Sequence, residues 1–467
     1  MKVGIVGLGV MGRNLALNAG DGGYQVVATD AWETARNAAP RGIEVVGDPA
    51  ALAGALTTPR VILLMVKAGD QVDVEIAGLV PHLAAGDIVI DGGNSHYRDT
   101  ERRADELGQR RIGYLGAGVS GGAEGARHGA SIMVGGSETV WNAAQAFLST
   151  LSAKAGDGEP TLTRFGDGGA GHFVKMVHNG IEYAIMQAIA ECHGLLSSIG
   201  GLGPQAAGDL LERWNADGRA SGFLLKITAE IAQTRDPLTG GHLLEYVGDV
   251  AGQKGTGAWS IEAGLAYGVP IPSIMEAVSA RQISGQGGPR AIFAKIIGAR
   301  PVPERPDGLL ADLEEALVAT TIVSLCQGLH LYAVAADQHG WNKHLPDVLR
   351  VWRAGSILRM GMLDEMAQRL EAQPAALDPL IVRQIAGDVA AMLPAWRRVV
   401  GAAVVAGLPA PVLATSLAYV EALGTTVLPT AVVQAQRDRF GAHGFARTDR
   451  AGAHHGPWFD PDQEPGA

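Results

Sequence analysis

The stretch VGIVGLGVMG, residues 3–12, decides the predicted fold of this chain. Its apolar first half predicts a buried β-strand over Val3–Val6, and its glycines open a helical pattern. Gly7 permits a tight turn, Gly9 lets a pyrophosphate approach the backbone, and Gly12 lets the helix pack close to the strand. The helix N-terminus offers N–H groups and partial positive charge to phosphates. We therefore predict a dinucleotide site formed by Gly7, Leu8, Gly9, Val10, Met11 and Gly12.

Downstream of this stretch, short apolar runs alternate with helical patterns. The runs predict further buried strands at Gln25–Thr29, Val61–Val66, Ile88–Asp91 and Arg111–Leu115. Alternation of strands and helices is typical of a parallel, doubly wound α/β sheet, that is, a Rossmann-like domain.

From residue 168 onward the pattern becomes helical, rich in Ala, Leu and Ile. Two long apolar-periodic helices are predicted at Phe173–Ile199 and Asp312–Ala335. After Phe440 the helical periodicity is lost, and Arg, His and aromatic residues alternate. We expect a Rossmann-like domain over 1–167, a large all-helical domain over 168–432 and a C-terminal tail over 433–467.

Composition narrows the functional class. The 467 residues exceed what one core usually serves, and 47% of them are apolar. A net charge of −11 argues against nucleic acid and anionic membrane surfaces as partners. The two cysteines, Cys192 and Cys326, form no CxxC pair, which excludes a disulfide framework and a thiolate zinc site. No signal peptide precedes the first strand and no apolar run reaches membrane-spanning length, so we expect a cytoplasmic protein.

The end of the second strand bears on which dinucleotide is bound. Asp30 stands near the position where a carboxylate accepts hydrogen bonds from a ribose 2′-OH and repels a 2′-phosphate. Ala31 and Trp32 follow, without a cation, so NAD is favoured over NADP. Trp32 either stacks beside the adenine or is an ordinary surface residue. After the next strand, further cofactor contacts are predicted at Val66, Lys67 and Ala68.

Two later turns are candidates for contacts with a substrate. Asn94, in DGGNS (91–95), offers an amide that can touch both nicotinamide and substrate, although a simple strand-ending turn has the same composition. Ser120, Gly121 and Gly122 follow the fifth predicted strand. A hydroxyl beside unobstructed backbone N–H groups suits a carboxylate or a phosphate.

The segment KMVHNGIE, residues 175–182, carries the sharpest constellation. On a helix, Lys175, His178, Asn179 and Glu182 project from one face. A base and an acid two turns apart can serve the two ends of one substrate, whereas the alternative is a solvated polar face. A Lys–Glu pair at i+7 is too far apart for a helix ion pair, which favours a functional interpretation.

Cations follow further along the chain. Lys254 and Thr256 lie among glycines in residues 252–257, but no strand precedes them and the Walker spacing is absent. Arg281 either pairs with a phosphate or lies on the surface.

Together with GVSGGAEGARHGASIMVGG (118–136), HFVKMVHNGIEY (172–183), AGQKGTG (251–257) and QRDRFGAH (436–443), these motifs resemble the 6-phosphogluconate dehydrogenase family over essentially the whole chain. The resemblance implies oxidation of 6-phosphogluconate followed by decarboxylation to ribulose 5-phosphate in the pentose phosphate pathway. Lys175 would take the proton of the C3 hydroxyl and later return one to the ketone, and Glu182 would protonate C1. A lysine that works in both protonation states near neutral pH needs a lowered pKa, which burial would supply.

The resemblance also implies which residues bind substrate. Those that would hold the sugar acid are Asn94, Ser120, Gly121, Gly122, His178 and Asn179. Those that would hold the phosphate are Tyr183, Lys254, Arg281 and Arg437, with His443 beside them. Thr256 would also bind the substrate. The tail would reach the partner's active site in a homodimer, and no metal is needed. Where NADP-using members have Asn-Arg-Thr, this chain has Asp30-Ala31-Trp32.

Two rival functions remain open on the residues alone. A shorter β-hydroxyacid dehydrogenase would share the glycine motif and the helical lysine, but it would lack the long second helical half and the tail. A non-catalytic dinucleotide-binding protein would be expected to lose the acid and base, yet Lys175 and Glu182 are both present.

Overall fold

The computed structural model describes residues 1–253, 255–298, 304–374, 376 and 378–458, apart from the side chain of residue 217. The chain forms two compact units: Met1–Ser416, and a second that begins at Leu417.

An eight-stranded sheet organises the first part of the chain. Its strands are β1 (Lys2–Val6), β2 (Gln25–Thr29), β3 (Glu44–Val45), β4 (Val61–Leu64), β5 (Ile88–Asp91), β6 (Gly113–Ser120), β7 (Ser131–Gly135) and β8 (Leu162–Gly166). They lie in the order β3-β2-β1-β4-β5-β6-β7-β8. The helices between them are α1 (Val10–Asp21), α2 (Glu33–Asn37), α3 (Pro49–Ala55), α4 (Asp70–Leu79), α5 (Tyr97–Gly108), α6 (Gly122–His128) and α7 (Glu138–Leu151).

Both faces of the sheet are buried, which explains its nearly continuous apolar strands. In β4, Val61 and Leu63 pack into one core with α1 and α7. Ile62 and Leu64 point the other way and pack with α3, α4 and α5. The predicted Rossmann-like α/β domain is therefore confirmed.

Three details of the predicted sheet were wrong. The fifth predicted strand, Arg111–Leu115, is displaced to Gly113–Ser120, so Gly118–Ser120 belong to the strand and not to a loop after it. The third predicted strand ends at Leu64 and not at Val66. The sheet is also not purely parallel, because β7 pairs antiparallel with β6.

The second part of the chain is built from helices, as predicted. They are α8 (Ala170–Ser198), α9 (Pro204–Asp217), α10 (Phe223–Gln233), α11 (Thr256–Tyr267), α12 (Pro272–Ser284), α13 (Gly287–Ile297), α14 (Leu309–His339), α15 (Leu345–Trp352), α16 (Met362–Glu371), α17 (Arg383–Val405), α18 (Pro411–Leu423) and α19 (Thr430–Gly441). Short 3₁₀ turns lie at Val80–His82, Leu243–Tyr246 and Pro379–Ile381. A small antiparallel ribbon, β9 (Phe445–Ala446) with β10 (Ala453–His454), follows α19.

The expectation that no apolar run reaches membrane-spanning length was wrong for α14. This helix is long and apolar enough to cross a membrane, but 89% of its most apolar window is buried inside the protein. It packs along α8 and α17, so its hydropathy is that of a core helix in a helical domain.

Candidate active site

The glycine turn after β1 has the shape that a pyrophosphate needs. Gly7 has φ +99°, and a Cβ there would lie 2.4 Å from the Met65 carbonyl oxygen. A Cβ on Gly12 would lie 1.9 Å from the Gly7 carbonyl oxygen, so only glycine lets α1 approach this turn. A Cβ on Gly9, by contrast, would meet nothing within 4 Å. The backbone at Gly9 is therefore open to a ligand, and α1 begins there without a side-chain cap.

Asp30 holds the end of β2 against this turn. Its carboxylate accepts a hydrogen bond from the Leu8 N–H at 2.6 Å and another from the Trp32 N–H at 2.8 Å. Arg36, the first cation after β2, donates to the Asp30 and Ala31 carbonyl oxygens at 2.6 and 3.3 Å. Its guanidinium thus has backbone partners already. The Trp32 side chain is 75% exposed, so most of its surface is available to a ligand.

The next two strand ends continue the same edge of the sheet. Val66, Lys67 and Ala68 follow β4, and Asn94 follows β5. The Asn94 Oδ1 atom is buried and has no hydrogen-bond partner among the described residues. Since buried acceptors are rarely left unsatisfied, this oxygen is placed to accept a hydrogen bond from a bound molecule. The glycine turn and the strand ends beside it therefore fit a dinucleotide.

Four side chains of α8 converge beside β6. Lys175 is 5% exposed, and its Nζ lies 3.4 Å from His178 Nδ1. The same Nδ1 lies 3.6 Å from Glu182 Oε2 and 3.2 Å from Asn179 Oδ1. On the other side of the ring, Nε2 lies 3.1 Å from Ser120 Oγ. His178 therefore links Lys175 and Glu182 to the glycine-rich end of β6.

Burial sets the protonation of this cluster. It lowers the pKa of Lys175 to about 8, against the opposing effect of Glu182. Burial, with the charge of Lys175, holds the pKa of His178 well below its usual range, so the ring is neutral at pH 7. Burial also raises the pKa of Glu182, although Lys175 and Arg281 oppose this. A lysine that readily loses its proton thus stands near a carboxyl group that readily keeps one.

Glycines in the sheet determine how closely α8 approaches it. A Cβ on Gly118 would lie 2.3 Å from Lys175 Cβ, and one on Gly116 would lie 2.8 Å from His172 Nδ1. In β7, a Cβ on Gly135 would lie 2.5 Å from the Gly168 carbonyl oxygen. The helix therefore crosses the sheet where side chains are missing, and this crossing buries Lys175.

Gly118→Ala is expected to push α8 away from β6. The methyl group would overlap the Lys175 side chain, and overpacking of this kind destabilises proteins by about 1–3 kcal/mol. Turnover should fall as well, because Lys175 is displaced. The measurement is urea unfolding together with kcat. Gly387→Ala is the control, since a Cβ at this position in α17 meets nothing within 4 Å. Unchanged stability and turnover in Gly118→Ala would contradict the argument.

A second group of residues lies one turn further along α8. The Arg281 guanidinium lies 3.7 Å from the centroid of the Tyr183 ring and donates to the Gly252 carbonyl oxygen at 2.8 Å. Asn179 Nδ2 donates to Thr256 Oγ1 at 3.2 Å. The structure thus brings α8, α12 and Gly252 together around Arg281, with α11 beside them through Thr256. Lys254 lies outside the described residues.

The tail residues belong to the second unit. Arg437 lies on α19 and donates to Gln434 Oε1 at 3.2 Å, and His443 follows that helix. Between them, the buried Asp438 carboxylate accepts hydrogen bonds from Gly444 N, Gly456 N and Trp458 Nε1 at 2.8 to 3.0 Å. This carboxylate gives the segment a defined shape without a large apolar core.

The sequence did not reveal what two residues, Gly118 and Asp91, contribute to the site. Gly118 was assigned to a ligand-binding loop, whereas it makes room for Lys175. Asp91 was taken only as the end of a strand. Its carboxylate accepts hydrogen bonds from Gly93 N at 3.1 Å, Ser95 Oγ at 2.6 Å and Tyr114 OH at 3.0 Å, and so shapes the turn that carries Asn94. An acidic residue at a strand's carboxyl end, followed by glycines and a serine, was the available signal.

Two protein-family models together match most of the chain. Residues 2–162 match the NAD binding domain of 6-phosphogluconate dehydrogenase. Residues 171–458 match the C-terminal domain of 6-phosphogluconate dehydrogenase.

Individual relatives belong to the same family as these models. A decarboxylating 6-phosphogluconate dehydrogenase of Synechococcus elongatus is 40% identical over 98% of this chain and 99% of its own length. A relative from Bacillus subtilis, named as an NADP(+)-dependent, decarboxylating 6-phosphogluconate dehydrogenase, is 39% identical over 98% of this chain and 99% of its own length. A solved structure of Plasmodium falciparum 6-phosphogluconate dehydrogenase, described in apo form and with NADP+ or 6-phosphogluconate, has a TM-score of 0.92 at 34% identity. It covers 98% of this chain and 100% of its own. These matches include the second helical half, which a shorter β-hydroxyacid dehydrogenase would lack.

Proposed function

Because the chain belongs to the 6-phosphogluconate dehydrogenase family, we propose that it oxidises and decarboxylates 6-phosphogluconate to ribulose 5-phosphate with NAD in preference to NADP. The chain is an NAD(P)-dependent oxidoreductase. We further propose that it prefers NAD, that it acts in the pentose phosphate pathway and that it assembles as a homodimer. The observation that carries the reaction is the buried Lys175–His178–Glu182 cluster beside Ser120.

The protein's own groups account for the proton transfers. Neutral Lys175 takes the proton of the C3 hydroxyl, while the bound nicotinamide supplies the hydride acceptor. The resulting 3-keto acid loses CO2, and the electron pair left at C2 is taken up by the ketone at C3. The ketone oxygen then receives the proton that Lys175 holds, which gives an enediol. Glu182, whose pKa burial raises so that it holds a proton more readily, then gives a proton to C1 of the enediol, the former C2 of 6-phosphogluconate. Neutral His178 stays between the two as a hydrogen-bonding partner.

Asp30 is the basis for the preference for NAD. Its carboxylate stands at the end of β2, where a 2′-phosphate would bring a second anion. Neither Ala31 nor Trp32 offers a cation, and Arg36 is engaged by backbone carbonyls. The relative from Bacillus subtilis is named as NADP(+)-dependent, which is a property of that protein. This chain is expected to differ in cofactor preference because of Asp30 and the two residues after it.

The direct test compares the two cofactors. The purified protein is given 6-phosphogluconate with NAD or NADP, and absorbance at 340 nm is followed together with the release of CO2. We expect kcat/KM to be at least about tenfold higher with NAD. No reduction of either cofactor would overturn the proposed reaction, and a higher value with NADP would overturn the cofactor preference alone.

Asp30→Asn combined with Ala31→Arg should shift the preference toward NADP. The change removes a repulsive carboxylate, keeps an acceptor for the Leu8 N–H, and adds a guanidinium that can bind a phosphate with two hydrogen bonds. The ratio of kcat/KM values for NADP and NAD should rise by about 10²-fold. Glu33→Gln is the control, because it removes a neighbouring charge from an exposed position on α2. An unchanged ratio in the double variant would show that Asp30 does not set specificity.

The remaining part of the proposal is a homodimer whose C-terminal segment completes the partner's site. A groove of about 1300 Å³ is lined by α8, α12 and α13, and Arg281 forms part of its wall. A segment bound there would bring its side chains close to Arg281. The exposed apolar residues on α13, Ile292, Phe293 and Ile296, also favour a protein partner over solvent.

A further inference from the structure

Arg103 on α5 is a buried cation that has no part in the mechanism above. Its side chain is 1% exposed. Nε and Nη2 donate to the two carboxylate oxygens of Asp73, each at 2.8 Å. Nη2 also donates to the Gly69 carbonyl oxygen at 3.0 Å, and Nη1 donates to Ser95 Oγ at 3.3 Å. Nη1 lies 3.6 Å from Asp91 Oδ2.

These partners belong to two different loops. Gly69 closes the segment 65–69 between β4 and α4, whereas Asp91 and Ser95 bound the turn 91–95 after β5. The two loops touch, since a Cβ on Gly93 would lie 3.2 Å from the Val66 carbonyl oxygen. The strands that carry them pair as far as Leu64 and Asp91, and Arg103 connects the two loops beyond that last pair.

Both loops carry predicted contacts to the cofactor. The segment 65–69 contains Val66, Lys67 and Ala68, and the turn 91–95 contains Asn94, whose buried Oδ1 has no partner among the described residues. An error of about 1 Å in the placement of a reacting group can cost about 10²-fold in rate. The width of the gap between these loops thus matters for the hydride step.

The neighbouring Arg102 shows what is particular to Arg103. Arg102 also donates to Asp73, at 2.9 Å, but its side chain is 44% exposed and its recorded contacts are to carboxylates of α4 and α5. Arg103 alone of the pair reaches Gly69 and Ser95. A planar guanidinium with five donors can bridge several acceptors in fixed directions, which a lysine cannot do.

We propose that Arg103 is a positioning residue that holds the 65–69 segment and the 91–95 turn at the separation that hydride transfer requires. This inference rests on the proposed dehydrogenase function. It does not place Arg103 in contact with substrate or cofactor. It predicts an effect on the nicotinamide end of the reaction and little effect on binding of the sugar acid phosphate.

The test is Arg103→Lys in the full-length protein, with Arg102→Lys as the matched control. We expect the KM for NAD to rise about tenfold and kcat to fall about tenfold, while the Kd of 6-phosphogluconate changes by less than about twofold. With 6-phosphogluconate deuterated at C3, the isotope effect on kcat should increase, because hydride transfer becomes slower relative to the other steps. Arg102→Lys should match the unmodified protein in all four measurements.

NADH titration, followed by fluorescence, separates this inference from the proposed function, because it needs no turnover. Weaker NADH binding in Arg103→Lys supports the inference even if 6-phosphogluconate is not a substrate. If Arg103→Lys does not fold, Asp73→Asn replaces it, since this change removes the main partner of Arg103 from a partly exposed position and should give the same effects more weakly. Equal changes in the KM of both substrates, an unchanged isotope effect, or no NADH binding by the unmodified protein would overturn the inference.

Discussion

Lys175→Met is expected to lower kcat by about 10⁴-fold, which is the upper range for loss of one general acid–base group. Lys175 serves twice in the proposed mechanism, first as the base at the C3 hydroxyl and then as the acid at the ketone oxygen. Methionine fills a similar apolar volume in the crossing of α8 and β6, so the fold should persist. NADH affinity should change by less than about twofold, because the glycine turn and Asp30 are untouched.

A surface lysine is the control for this experiment. Lys226→Met on α10 removes the same charge from an exposed position, where Lys226 pairs only loosely with Glu230 at 3.8 Å, and kcat should be unchanged. Near-normal turnover in Lys175→Met would remove Lys175 as the base. Loss of both turnover and NADH binding would instead indicate a damaged fold, which thermal unfolding would detect.

The pH profile of kcat/KM is a second test of Lys175 as the base. The pKa of Lys175 is about 8 because burial disfavours the ammonium form. The base must be neutral to act, so the rate should fall about tenfold for each pH unit below the pKa. Lys175 in a solvent-exposed site would titrate near its ordinary value and would place this limb far above neutral pH.

Local periodicity explains why the polar face of α8 could be predicted as a candidate site. Lys175, His178 and Glu182 lie within two turns, and helical geometry alone places them on one face. The glycine turn at Gly7–Gly12 was equally accessible, because each glycine has a local steric reason. The predicted Rossmann-like fold is confirmed by the observed sheet, and the predicted NAD(P)-dependent enzyme is confirmed by the family match.

What was not predictable depends on contacts between distant residues. β6 continues through Gly118 and Ser120 although glycines disfavour strands, because the crossing helix needs the space that side chains would fill. The antiparallel pairing of β7 is a long-range choice that no local pattern expresses. Arg103 occurs in a helix rich in charged residues, where nothing in the sequence distinguishes it from the exposed Arg102. Its burial follows from the packing of α5 against β6 and α8 and from its contacts to Asp73, Gly69 and Ser95.

Mixing two inactive variants should restore activity if the C-terminal segment acts in the partner's site. One variant is Lys175→Met, whose tail is intact. The other carries Arg437→Met and His443→Ala, and its Lys175 is intact. Each homodimer should be nearly inactive, the second because the substrate phosphate has lost its tail-derived partners. After co-expression in equal amounts, half of the dimers are mixed, and each mixed dimer has one complete site. The expected activity is about one quarter of that of the unmodified protein.

This result depends on which subunit supplies the tail. If the tail served its own subunit, a mixed dimer would have one site without Lys175 and one without Arg437 and His443, so activity would stay near zero. Lys175→Met mixed with Glu182→Gln is the control. Both changes lie on α8 of the same subunit's site, so no mixed dimer can have a complete set, and no activity should return. A monomer in solution, or full activity of the Arg437→Met, His443→Ala variant alone, would contradict the proposed exchange. Recovery near one quarter, with no recovery in the control, would mean that the reaction requires two copies of the chain.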